Sequence, residues 1–162
     1  MTYKRLGSMA ALLVLLVLPV SASMVSFQLV ETGLSQEAAS GQYSRLWESG
    51  LMSVFFDAGY IVTSSPIARV QARPGPELNG LIQYSFDQAM QSGADYFIVG
   101  LIEYSTQTGR TLPAGILLRV YDSNSRLIHQ QNFPAGAGRS NNDELQSAQD
   151  AARMVISYIK DR

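Results

Sequence analysis

The apolar positions of this chain change their period several times, and each change marks an element. From Met24 to Glu31, Val25, Phe27 and Leu29 alternate with Ser26 and Gln28, the two-residue period of a strand. After the small and polar stretch from Thr32 to Gly41, Tyr43, Trp47, Leu51 and Phe55 recur every fourth residue, with Leu46, Val54 and Phe56 beside them. That spacing predicts a helix with a wide apolar stripe, stopping near Gly59. Tyr60 to Thr63 is β-rich and follows the glycine directly, so it predicts a second strand. Pro76 opens a second helix whose apolar face is Leu78, Ile82, Phe86 and Met90, closed by Gly93.

Asp95 to Thr106 contains a run that is apolar on both faces, Tyr96 to Ile102, as expected of a central strand covered on two sides. Ile116 to Asp122 and Arg126 to Phe133 are two further β-rich runs around Ser123-Asn124-Ser125, which predicts an antiparallel hairpin. A last helix starts near Asn142, with Leu145, Ala148, Ala152, Val155 and Ile159 on one face and Asp143 and Glu144 at the positive end of its dipole. The order β-α-β-α-β-β-β-α predicts an α/β (α+β) fold with one mixed sheet of about five strands and helices packed on it. The two helix-to-strand junctions, at Gly59 and Gly93, are alike enough to suggest a repeated unit, or merely the shared grammar of such junctions.

Ahead of these elements, residues 1–22 have the build of a secretory signal peptide. Lys4 and Arg5 precede an apolar run from Met9 to Leu18, and Pro19 breaks it before Val20-Ser21-Ala22, a small-residue cleavage site. The run to Val20 is far shorter than the about 20 residues of a permanent span. An uncleaved anchor is the alternative, supported by Met24, Val25 and Phe27 and opposed by Ser21, Ser23 and Ser26. Cleavage predicts a periplasmic protein with one domain over residues 23–162, about 140 residues, enough for a substantial core. Two of the 12 basic residues and none of the 13 acidic ones fall in the removed segment, so the mature chain is slightly acidic, which argues against nucleic acid or an anionic membrane surface as a partner. The chain has no cysteine, which excludes thiol catalysis, thiolate metal sites and a lipid-carrying first mature residue.

Candidate chemistry is sparse, and neither a cofactor nor a metal is expected. His129 is the only histidine and lies inside a strand, and no G-x-S-x-G marks a nucleophile. Glu103 and Asp122 are the carboxylates that could approach one another for acid/base work, although Asp122 before Ser123-Asn124-Ser125 also reads as a turn former. The segment Ala135 to Ser140 with Arg139, and the long polar loop Ser105 to Pro113 with Arg110, could meet an anion or a partner. Trp47 belongs to a helix stripe and reads as core.

Gly93-Ala94-Asp95-Tyr96-Phe97-Ile98-Val99-Gly100, followed by Val120-Tyr121-Asp122 and Arg126-Leu127-Ile128, resembles a pattern of bacterial envelope proteins: the TolB amino-terminal domain, the CsgG curli-secretion family, the LpoB activators and the FlgO flagellar proteins. Gly93, Asp95, Gly100 and Asp122 carry the resemblance as fold residues. It implies a non-enzymatic module that binds envelope proteins, with the lipoprotein cysteine of that group missing here. An envelope hydrolase or a binder of a small anionic ligand is the alternative. An open edge strand on such a sheet, in a chain with only 15% charged residues, also allows a homo-oligomer.

Overall fold

A computed structural model of the chain describes residues 22–34, 41–71, 75–107, 110–134 and 140–160, with backbone alone for 106–107 and 110–112. Residues 1–21, which hold nearly all of the expected signal peptide, lie outside the described residues. The chain runs β1 (Met24–Thr32), α1 (Gln42–Asp57), β2 (Ile61–Ser64), β3 (Ala68–Val70), α2 (Pro76–Gln91), β4 (Tyr96–Gln107), β5 (Arg110–Asp122), β6 (Leu127–Pro134) and α3 (Asn141–Lys160). The strands form one mixed sheet in the order β2-β1-β4-β5-β6, with β3 also paired to β1. The α+β class and the element order are those the sequence predicts, with β3 as an addition.

β1 lies at the centre of the parallel half, flanked by β2 and β3 on one side and β4 on the other. Its alternation does not leave a polar face in water, because every residue from Val25 to Thr32 is buried. Val25, Phe27 and Leu29 point to the side of α1 and α3, where they join Trp47, Leu51 and Phe55 of α1 and Ala148, Ala152 and Val155 of α3. Gln28, on the other side, donates to the backbone oxygens of Leu29 and Pro66, and accepts from Ser85 of α2 at 3.1 Å. A buried amide is tolerated there because its donors and acceptor are used.

On the α1/α3 side the two helices meet through small residues. A Cβ on Gly50 would lie 2.6 Å from the Ala148 Cβ and 3.1 Å from the Leu145 backbone oxygen, so glycine sets how closely the helices approach. Ser140 caps α3: its hydroxyl accepts the Asp143 N–H at 3.2 Å and the Asp143 carboxylate accepts the Ser140 N–H at 3.0 Å. Phe56, expected beside the apolar stripe of α1, is instead 71% exposed, because its position on the helix faces away from the sheet. Among the described residues the opposite side of the sheet carries α2 alone, whose Leu78, Phe86 and Ala89 pack on Val30, Phe97, Val99 and Val70. Gly59 and Gly93 end α1 and α2 at φ +89° and +88°, a left-handed turn that lets each helix reverse directly into β2 or β4.

The expected long loop from Ser105 to Pro113 is a correction. The β4–β5 ladder continues through Ser105↔Leu112 and Thr106↔Thr111 to Gln107↔Arg110. Polar Thr residues in that segment serve a ladder as well as a loop, since β-branched side chains suit strands. The hairpin projects beyond β1, whose pairing with β4 ends at Glu103, and beyond β6, whose pairing with β5 begins at Gly115.

Candidate functional site

β1, β2, β3 and β4 run parallel, and β6, antiparallel to β5, shares their direction. Each of α1, α2 and α3 follows the carboxyl end of one of these strands, so three helix N-termini and their positive dipole ends gather at one end of the sheet. In sheets of this kind, ligands and partners are met at the carboxyl ends of the strands.

Two buried carboxylates sit there on the α1/α3 side. Glu31, fully buried on β1, accepts hydrogen bonds from the Ser44 hydroxyl of α1, from the Tyr104 hydroxyl at 3.3 Å and from Arg69 Nε of β3 at 3.1 Å. Burial pushes the Tyr104 phenol up to about 12, and the adjacent Glu31 carboxylate adds to the rise against the Ser44 hydrogen bond and the Arg69 charge. Glu144, 3% exposed at the start of α3, accepts the indole N–H of Trp47 at 3.2 Å. Glu31 is enclosed on every side and ties β1, α1, β3 and β4 together, which is a structural task. Its signal in the sequence is an acidic residue in phase with Val25, Phe27 and Leu29.

The open ground lies on the α2 side: among the described residues α2 covers β1 and β4 and meets β5 at Tyr121, against Phe86, and the cleft opens toward the other end of β5 and β6. At the carboxyl end a cleft of about 500 Å³ has an apolar lining from Leu78, Leu101 and Leu117, with Glu103 and Asn132 at its margins. A smaller cleft of about 210 Å³ lies further along the α2 flank between Ile82, Gln83, Arg119 and Tyr121. Glu103 is the acidic residue of the larger cleft. Among the described residues no three side chains group as metal ligands.

The residues singled out from the sequence do not converge. Glu103 is in register with Gly115 and Asp122 with Tyr96, which separates the two carboxylates by roughly 23 Å along the ladder at ~3.3 Å per residue. The acid/base pairing is therefore overturned by the strand register. Asp122 closes the β5–β6 turn: burial pushes its carboxyl up, but the Arg126 and Asn124 N–H groups and the Arg126 guanidinium outweigh this and hold it below the usual range. His129 stacks on Tyr158 of α3 with ring centroids 4.0 Å apart.

Asp95, at the amino end of β4, accepts the Met24 N–H at 2.8 Å and donates its own N–H to the Met24 oxygen. Gly100 lies mid-strand, where a Cβ would come 2.4 Å from Leu29 Cδ2. Gly93, Asp95 and Asp122 thus sit at the end of the sheet opposite the larger cleft. Arg110 opens β5, with its backbone alone described, and Arg139 lies outside the described residues. Trp47 is fully buried, packed against Phe133.

A family model described as "Uncharacterised protein" matches residues 24–124. No curated protein matches the chain. Among solved structures, the chain is similar to the PelC dodecamer from Paraburkholderia phytofirmans, with 13% identity over 81% of this chain and 84% of that one and a TM-score of 0.48. It is also similar to the hypothetical protein CT253 from Chlamydia trachomatis, with 15% identity over 86% and 100% of the two chains and a TM-score of 0.46. A third is the lipoprotein GNA1162 from Neisseria meningitidis, with 16% identity over 87% and 99% and a TM-score of 0.40.

Proposed function

The chain belongs to the family whose model spans residues 24–124, and within it we propose an exported, non-enzymatic protein-interaction module of the bacterial cell envelope. The observation that carries the reading is the cleft of about 500 Å³ on the α2 side, where Leu101 and Leu117 remain half-exposed beside the buried Leu78. An apolar cleft of that size with few polar groups suits a side chain or short segment of another protein. The resemblance to the TolB, CsgG, LpoB and FlgO group supports the same direction. So does the signal-peptide pattern of residues 1–22, since β1 begins at Met24, just after the expected cleavage point. No helix among the described residues is long and apolar enough to cross a membrane.

The hydrolase alternative loses its Glu103–Asp122 pair to the strand register. The proposed function is tested by crosslinking in intact cells, with mass spectrometry to place the crosslinked residues and to read the mature N-terminus. Crosslinks from the carboxyl end of the sheet to one envelope protein, on a chain beginning near Ser23, are expected. A chain recovered uncrosslinked, or one that retains residues 1–22 in the cytoplasm, overturns the reading.

A further inference from the structure

The two edges of the sheet are built differently. On one side, β1 pairs with β2 from Met24 to Phe27 and with β3 from Val30 to Thr32, and these partners are only 4 and 3 residues long. Ser65-Pro66-Ile67 interrupts the pair, and Gln28 bonds the Pro66 oxygen. Short strands and proline are recognised ways to blunt an edge against pairing with other chains.

On the other side β6 runs for 8 residues, with a register shift at Ile128 near its start and a regular ladder from His129 to Pro134, and among the described residues it pairs with β5 alone. Its sequence, Leu-Ile-His-Gln-Gln-Asn-Phe-Pro, has no Asp, Glu, Lys or Arg, and its proline stands only at the last position.

We propose that β6 is a self-association edge, on which a second copy of this chain pairs its own β6 antiparallel about a twofold axis perpendicular to the sheet. The occupant is chosen by complementarity. A twofold of this kind sets same-face residues opposite one another, so the axis passes through a residue, and one through Gln130 brings Gln130 against its own copy and His129 against Gln131. Gln130 Oε1 already accepts from Arg119 Nε at 3.0 Å, which leaves its amide N–H groups and the second lone pair of that oxygen for its own copy, and the pairing asks for no opposite charge.

In this register His129, stacked on Tyr158, comes opposite the Gln131 of a second copy, so no charged side chain of β6 meets another across the seam. Apolar surface flanks the edge on both sides: Tyr158, stacked on His129, is 50% exposed on the α3 side, and Leu127 is 46% exposed. Pairing would join β5 and β6 of both copies into a four-stranded floor about 19 Å wide at ~4.8 Å per strand, walled by the two α2 helices. This inference stands independently of the proposed envelope role.

Because the chain lacks cysteine, a single introduced thiol reports unambiguously. Gln130→Cys and Leu127→Cys, each in the full chain as recovered from expressing cells, are oxidised mildly and run without reductant. Gln130→Cys is expected to form a disulfide dimer at least about tenfold faster, since only the axis position faces its own copy at high effective concentration. In the cysteine-free chain, sedimentation is expected to give a dimer that Gln131→Lys converts to a monomer of unchanged circular dichroism. A monomeric wild-type chain, a dimer that survives Gln131→Lys, or equal crosslinking at the two positions would overturn the proposal.

Discussion

The two sides of the sheet receive similar apolar strands and treat them differently. On the α1/α3 side two helices cover the whole width from β1 to β6, joined at Gly50 and Ala148, and they seal even the carboxylates of Glu31 and Glu144. On the α2 side, among the described residues, one helix covers β1, β3, β4 and the Tyr121 end of β5, and the cleft at Leu101 and Leu117 begins where its cover ends. The difference teaches that burial and accessibility have been separated by face: stability concentrates under α1 and α3, and the surface available to partners lies past α2.

The contrast breaks most severely at Trp47. Trp47→Ala removes a fully buried indole together with its hydrogen bond to the buried Glu144, so about 4 kcal/mol of stability should be lost in urea unfolding. Gly50→Val drives two methyls into Ala148 and the Leu145 carbonyl, and about 3 kcal/mol is expected by the same measurement. The Tyr104 cluster gives a pH signature. Because the folded phenol is raised from 10.0 to about 12, its contribution is complete below pH 10 and is lost as pH rises through 12. Tyr104→Phe should flatten the fall in stability across that window, and an unchanged slope would remove Tyr104 from the sealed side. At the exposed turn, Arg126→Ala should cost about 0.5 kcal/mol or less, since its guanidinium is 70% exposed while it holds Asp122.

Helix stripes and strand alternation made most of the fold legible, because a period shared by four or five apolar residues is a strong local signal. Leu78, Phe86, Trp47 and Phe55 all lie on the faces their spacing indicates. β3 escaped because Ala68-Arg69-Val70 is too short to show a period, and its strand character comes from pairing with β1. Glu31 and Gln28 escaped for another reason: their burial depends on partners from distant segments, Tyr104 and Arg69 for one and Pro66 and Ser85 for the other. The cleft was not legible at all. Leu101 and Leu117 look like ordinary strand residues, and only the placement of α2 leaves them accessible.

The division of labour between the faces is tested most directly by Leu117→Asn, measured for melting temperature and for crosslinking in cells on the same sample. Half-buried at the cleft, Leu117 should yield no more than about 1 kcal/mol of stability, while crosslinks from the carboxyl end of the sheet disappear. A folded variant whose crosslinks persist unchanged would contradict the assignment of binding to the α2 side.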